Sequence, residues 1–299
     1  MSGPVIFDRR LLRDRRRRAA ALGPATFLME RVAADLAERL DAVLRRFPLA
    51  VDLCSPTDAV RRALAGSKKI TDLVAVDTIA AHLPPPPALA VAAEEEALPF
   101  HDGALDLVLS ALSLQFVNDL PGALAQIRRA LKPDGLLLAA VLGGDSLTEL
   151  RQAFALAESE VAGGVSPRVA PFVDVRTVGM LLQRAGFALP VTDVDRIVVR
   201  YETPFALMHD LRRMGATNVL SERRRTPASR KLLMRAVEHY FKRFSDDDDR
   251  IRATFEVVWM SGWAPDPSQQ KPLKPGSAKH RLADALGVRE FPTGEKPRG

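Results

Sequence analysis

Leu49-Ala50-Val51-Asp52-Leu53-Cys54-Ser55-Pro56-Thr57-Asp58 is the stretch on which the fold turns. Its first five residues are a short apolar run with one carboxylate, Asp52, and its last five hold the Ser, Pro and Asp that end strands and open helices. An apolar run bounded in this way, with helical spacing following from Asp58 to Leu64, reads as a strand of a parallel sheet covered on both faces. Ligands of such sheets bind beyond the carboxyl ends of the strands, so the turn after Leu53 is the first place to look for a site.

The same alternation continues on the C-terminal side. Strand-like runs occupy 70–77 (ITDLVAVD), 88–94 (ALAVAAE), 105–112 (LDLVLSAL) and 135–143 (GLLLAAVLG), with helical spacing over 120–131 between the last two. Lys132-Pro133-Asp134-Gly135 reads as a helix stop and turn, and the four prolines 84–87 as a surface connection. Ser146 with Glu149 three residues on has the form of a capping box opening a helix to Glu160, closed by Gly163-Gly164. Further helices are expected over 175–185, 204–214 and 226–244. Strands are expected over 196–201 and 255–263, the latter carrying Trp259 and Trp263 on one face. The two late strands suit an antiparallel pair closing one edge. The expected fold is therefore a doubly wound, seven-stranded α/β sheet with helices on both faces. It is preceded by a basic arm (1–30), carries a helical insertion near 204–250, and gives way after residue 265 to a polar tail read as disordered (266–299).

Composition narrows the function. The chain of 299 residues carries 43 Lys and Arg against 37 Asp and Glu, a formal +6, and several of the arginines fall within the first eighteen residues. With 6% aromatic residues and none among Arg9 to Arg18, the arm is not built for stacking on single-stranded nucleic acid; docking to an acidic partner, or a helix packed through Leu11 and Leu12, accounts for it better. The longest apolar stretches are about ten residues, roughly half a membrane span, and the N-terminus lacks the apolar core of a signal peptide, so a soluble, unprocessed, cytoplasmic protein is expected. A single cysteine, Cys54, excludes an internal disulfide and reads as a small buried hydrophobe. None of His82, His101, His209, His239 and His280 pairs with a carboxylate in an H-x-D or H-x-E motif, so no metal centre is expected.

Several segments carry a more specific signature: FDRRLLRDRRRRAA (7–20), EEEALPFHDGALDLVLSALSLQFVNDLPGALAQIRRALKPDG (94–135), GGDSLTELR (143–151) and SPRVAPF (166–172). Together, over about residues 5–264, they resemble the complex I assembly factor 5 family and its bacterial relatives. More distantly the central part is similar to methyltransferases acting on malonyl-carrier protein. The resemblance implies the class I methyltransferase fold, S-adenosylmethionine as cofactor, and a protein acceptor, with a complex I subunit as the candidate. Methyltransferases of this fold carry D-x-G-x-G-x-G after the first strand, where glycines let backbone amides approach the cofactor. Here Asp52 holds the acidic position, while Cys54, Pro56 and Asp58 replace the glycines. By position, the resemblance implies cofactor contacts from Asp52, Asp77 and Glu94; at the strand ends Asp77 is placed to accept the ribose hydroxyls and one carboxylate of Glu94-Glu95-Glu96 the adenine amino group, with Glu95 and Cys54 as further cofactor-side candidates. It also implies a substrate-side role for Gly143, Gly144 and Asp145. No catalytic base is identified, and methyl transfer does not require one if donor and acceptor are held in line. A second departure from the family pattern is Gln115-Phe116, where His-Trp is common. Three functions fit: an S-adenosylmethionine-dependent methyltransferase, a non-catalytic assembly factor with a degenerate cofactor loop, and a nucleic-acid methyltransferase using the arm.

Overall fold

In the computed structural model, which describes residues 4–270, 277 and 282–289, the strands are β1 (Phe47–Leu53), β2 (Ile70–Val76), β3 (Ala90–Val91), β4 (Leu105–Ala111), β5 (Leu131–Leu142), β6 (Ala188–Tyr201) and β7 (Ile251–Trp263). They form one sheet in the order β3-β2-β1-β4-β5-β7-β6. β1 to β5 run parallel, and β7 lies antiparallel between β5 and β6, one place in from the edge. All seven residues of β4 are buried, as its central place demands, whereas β6 alternates half-buried and exposed residues along most of its length as an edge strand does.

The helices are α1 (Arg9–Ala21), α2 (Phe27–Asp41), α3 (Ala59–Leu64), α4 (Leu120–Ala130), α5 (Thr148–Ala162), α6 (Val175–Arg184), α7 (Pro204–Arg213) and α8 (Arg230–Phe244). They divide between the two faces. Leu36 and Leu40 of α2, Val60 of α3, Ala153 of α5, Leu207 of α7 and Tyr240 of α8 pack with Phe47 and Trp259 on one side. Leu124 and Ile127 of α4 and Val178 and Leu182 of α6 pack with Val51, Val108 and Val141 on the other. Residues 4–265 form one compact unit; the described residues beyond it include the short helix Leu282–Leu286. The tail expected to be disordered from residue 266 lies largely outside the described residues.

Four local expectations change. The arm does not end at residue 30, because α2 crosses that boundary with Leu28, Met29, Val32 and Leu36 buried in one continuous stripe. β3 keeps only two paired residues of the expected 88–94, since the chain turns at once into a Glu94–Ala97 bridge. Lys132-Pro133-Asp134-Gly135 is a bulge inside β5 and not a turn before it. Leu131 pairs with Leu105 and Leu136 with Leu107, Asp134 takes φ 59°, and a Cβ on Gly135 would sit 2.9 Å from the Lys132 carbonyl oxygen. Finally, Ser146 and Glu149 do not form a capping box. The Ser146 hydroxyl donates to the Glu256 carbonyl (3.1 Å) and accepts from the Glu256 amide (3.0 Å), and the Glu149 carboxylate accepts from the Thr254 amide (3.1 Å). The neighbouring strand β7 supplies better-placed backbone partners than the helix end does.

Candidate functional site

Three of the six non-glycine residues with left-handed φ among the described residues lie at the carboxyl end of the sheet. Cys54 after β1, Leu112 after β4 and Leu147 in the loop after β5 all adopt left-handed φ, at 57°, 52° and 54°. Each costs about 1 kcal/mol or more for a residue with a Cβ, and such strain concentrates at functional sites. Leu112 and Leu147 line a cavity of about 380 Å³, the scale of a small-molecule pocket. Its apolar wall also includes Leu28, Met29, Phe116, Phe172 and Phe255; its polar groups include Arg16, Asp58, Arg61, His82, Gln115 and Arg213.

The loop 52–58 divides between cavity and core. Pro56, Thr57 and Asp58 line the cavity. Cys54 is buried: its amide donates to the Val76 carbonyl (2.8 Å), and its thiol lies 3.8 Å from the Ala93 carbonyl oxygen. Burial pushes that thiol far up, with the Glu95 and Asp77 charges adding to it, so Cys54 stays protonated and is not a nucleophile. Asp52 is 1% exposed, and Arg61 Nη1 lies 3.3 Å from its Oδ2. Burial raises the Asp52 carboxyl to about 6, against the pull of Ser55 and Arg61, and its Oδ1 has no hydrogen-bond partner among the described residues. Asp77, equally buried, accepts from the Ile79 amide at Oδ1 (2.7 Å) and faces His82 Nδ1 at Oδ2 (3.0 Å).

The acidic turn after β3 is held by the N-terminal helix. Arg9 donates to Glu95, and Arg13 Nη1 lies 2.5 Å from Glu94 Oε1. Glu95 is 1% exposed and also accepts from the Ser113 hydroxyl; although burial alone would raise it, Arg9 and Arg16 hold its carboxyl below the usual range. Arg15 donates to Thr217 Oγ1 (2.7 Å) and the Asn218 carbonyl (2.6 Å), and Arg16 lies over the Phe116 ring. These arginines are structural ties within the chain, so four of the charges that suggested a docking arm are already engaged.

Gly143, Gly144 and Asp145 do not line the cavity. A Cβ on Gly143 would run into the Glu256 carboxylate, so the close approach there is by the chain itself, and Asp145 forms an exposed pair with Arg196. The loop acts on the cavity at one remove: Arg151 donates to the Gly144 (3.0 Å) and Ser146 (3.2 Å) carbonyls and so fixes the strained turn that delivers Leu147. SPRVAPF does likewise, with Ser166 and Arg168 tied to buried Glu158 and Phe172 reaching the cavity. The residues that sequence reasoning missed as cavity groups are Arg16, Arg61, His82 and Arg213. The helical spacing after Asp58 placed Arg61 on a helix but gave no sign that it turns back to the strand end. Gln115, noticed only as a departure, lines the cavity with Nε2 donating to the Leu112 carbonyl (2.9 Å) and Oε1 without a partner among the described residues. Among those residues no group of three His, Cys, Asp or Glu side chains is placed to share a metal ion, and no helix is long and apolar enough to cross a membrane.

The strand order, with its antiparallel β7 and a cavity at the carboxyl end, defines a class I methyltransferase fold. A family model described as a methyltransferase domain matches residues 49–139, and S-adenosylmethionine is the cofactor of that class. A Bacillus halodurans protein solved as a putative methyltransferase superposes with TM-score 0.54 at 16% identity, covering 78% of this chain and 99% of its own. Among curated proteins, the chain is 37% identical over 291 residues to "Arginine-hydroxylase NDUFAF5, mitochondrial" of Danio rerio, covering 94% of this chain and 90% of that one. It is 31% identical over 279 residues to the malonyl-[acyl-carrier protein] O-methyltransferase of Gallionella capsiferriformans, covering 88% and 93%. The chain belongs to the NDUFAF5 family. The cavity is of a size for the cofactor, and Asp52 Oδ1 is a buried acceptor still without a partner, while each Asp77 oxygen has a lone pair left after its one recorded contact. Their acceptor chemistry suits an adenosyl group, but both carboxylates lie behind Arg61 and His82, which line the cavity in their place.

Proposed function

We propose that this chain uses S-adenosylmethionine to modify a side chain of a protein acceptor, with a subunit of respiratory complex I as the candidate acceptor. The observation that carries this reading is the pair of buried carboxylates ending β1 and following β2, Asp52 and Asp77, whose partners Arg61 and His82 line the cavity. Asp77 accepts the ribose hydroxyls, Glu94 the adenine amino group, and Asp52 with the turn at Cys54 offsets the positive charge of the methionyl end. When bound, the cofactor supplies an electrophilic methyl group. Glu95 contributes indirectly, by holding α1 through Arg9. Leu112, Phe116, Leu147 and Phe172 exclude water and leave an apolar channel for the acceptor, with Gln115 Oε1 accepting a hydrogen bond from it. The Gly143–Asp145 loop serves the substrate side through Leu147.

Titration calorimetry of the full chain with S-adenosylmethionine tests the cofactor half. Losing a charged acceptor to the ribose in Asp77→Asn costs about 2 kcal/mol, so affinity falls by roughly tenfold or more. Equal affinity for parent and variant would refute the assignment. A second reading comes from the arginine-hydroxylase name of the relatives. Mass spectrometry of complex I subunits from cells with and without this chain distinguishes the two, since methylation adds a methyl group and hydroxylation an oxygen atom. A non-catalytic assembly factor, favoured by the substitutions at Cys54, Pro56 and Asp58, predicts neither.

A further inference from the structure

Asp52 and Asp77 do not themselves line the cavity; Arg61 and His82 do. The Arg61 guanidinium spans both turns, with Nη1 3.3 Å from Asp52 Oδ2 and Nη2 donating to the His82 carbonyl (3.0 Å). His82 in turn places Nδ1 against Asp77 Oδ2. Asp52, Arg61, His82 and Asp77 thus form one chain of contacts joining the turn after β1 to the turn after β2.

We infer that Arg61 and His82 form a clasp that closes over the two carboxylates in the free protein and must open for the adenosyl cofactor to bind. The inference rests on the cofactor reading above. A cation on Asp52 and a ring nitrogen on Asp77 stand in for what the cofactor offers, a positive charge and two hydroxyl donors, so ligand and clasp compete for the same oxygens. The clasp is built to open. Charged hydrogen bonds are normally about 2.7–2.9 Å, so the 3.3 Å Arg61–Asp52 contact is a loose one, and Asp52 Oδ1 is left without a partner. Arg61 is one-fifth exposed and borders the cavity from α3, a helix of six residues, so open space lies beside its side chain. Asp58, on the same turn, pairs with Arg62 and does not hold Arg61.

The test is calorimetric titration of the full chain with S-adenosylhomocysteine, comparing the parent with Arg61→Met and His82→Ala, each checked for folding by circular dichroism. Removing either internal competitor raises affinity about tenfold, the worth of one charged hydrogen bond; binding by the variants when the parent shows none is the same result in stronger form. Unchanged or weaker binding in either variant, with the parent binding, overturns the clasp and leaves the cofactor site standing. Weaker binding in Arg61→Met makes Arg61 a ligand of the cofactor carboxylate. No binding by any of the three overturns both. If Arg61→Met does not fold, Arg61→Gln, which keeps a polar side chain but removes the cation from Asp52, takes its place with the same expectation.

Discussion

Cys54 occupies a position whose backbone is in the left-handed region that favours glycine. Its φ of 57° is one that L-residues adopt at about 1–2 kcal/mol, yet its side chain is buried and contributes about 1 kcal/mol in return. Cys54→Gly therefore leaves stability within about 1 kcal/mol of the parent in urea unfolding; a loss of several kcal/mol would show that the thiol packing matters more than the strain. The neighbouring Asp52 gives a pH signature. Its carboxyl moves from 3.8 when unfolded to about 6 when folded, so the folded state binds the proton more tightly. Its contribution is fully present below pH 3.8 and is lost as pH rises through about 6, up to about 3 kcal/mol. Asp52→Asn removes that dependence, and the difference in unfolding free energy between parent and variant shifts in the variant's favour across this window. A flat difference would mean that Asp52 is not shifted. The sequence identified the substituted loop and read Cys54 as a small buried hydrophobe, but it gave no sign of the left-handed turn there or of the burial of Asp52.

At the scale of elements, α1 is the part whose meaning changed most. Its arginines read as a surface feature because a single sequence cannot show that Glu94 and Glu95, more than eighty residues away, lie opposite them. The Arg9–Glu95 pair is nearly out of water, with side chains 13% and 1% exposed, and breaking a buried pair on one side leaves a charge without compensation. Arg9→Met costs about 3 kcal/mol by denaturant unfolding, and the double change with Glu95→Gln recovers part of it; additive losses would contradict the pairing. The helices and strands themselves were readable wherever apolar spacing ran unbroken, as in β4 and α4. They were misread where pairing with neighbouring strands overrode local signals, with β7 at Ser146 and Glu149 and with β4 at the bulge of residues 132–135.

Across the whole molecule, the sheet and its ligand-bearing edge were legible because strand alternation and the placing of Asp52 and Asp77 are local patterns. The cavity was not, because its walls come from α1, α2, α3, α7 and the loops after β1, β2, β4 and β5, which only folding brings together. Since α1 is both wall and tie, a chain lacking residues 1–21 loses thermal stability as well as part of the cavity; melting within a degree or two of the parent would show the helix to be an appendage. The central claim is that the adenosyl cofactor lies over β1 and β2 in this cavity. A crystal structure of the full chain grown with S-adenosylhomocysteine tests it most directly: the account predicts the ribose hydroxyls on Asp77 with His82 turned away, and a nucleoside bound elsewhere, or a cavity left unchanged at saturating ligand, would contradict it.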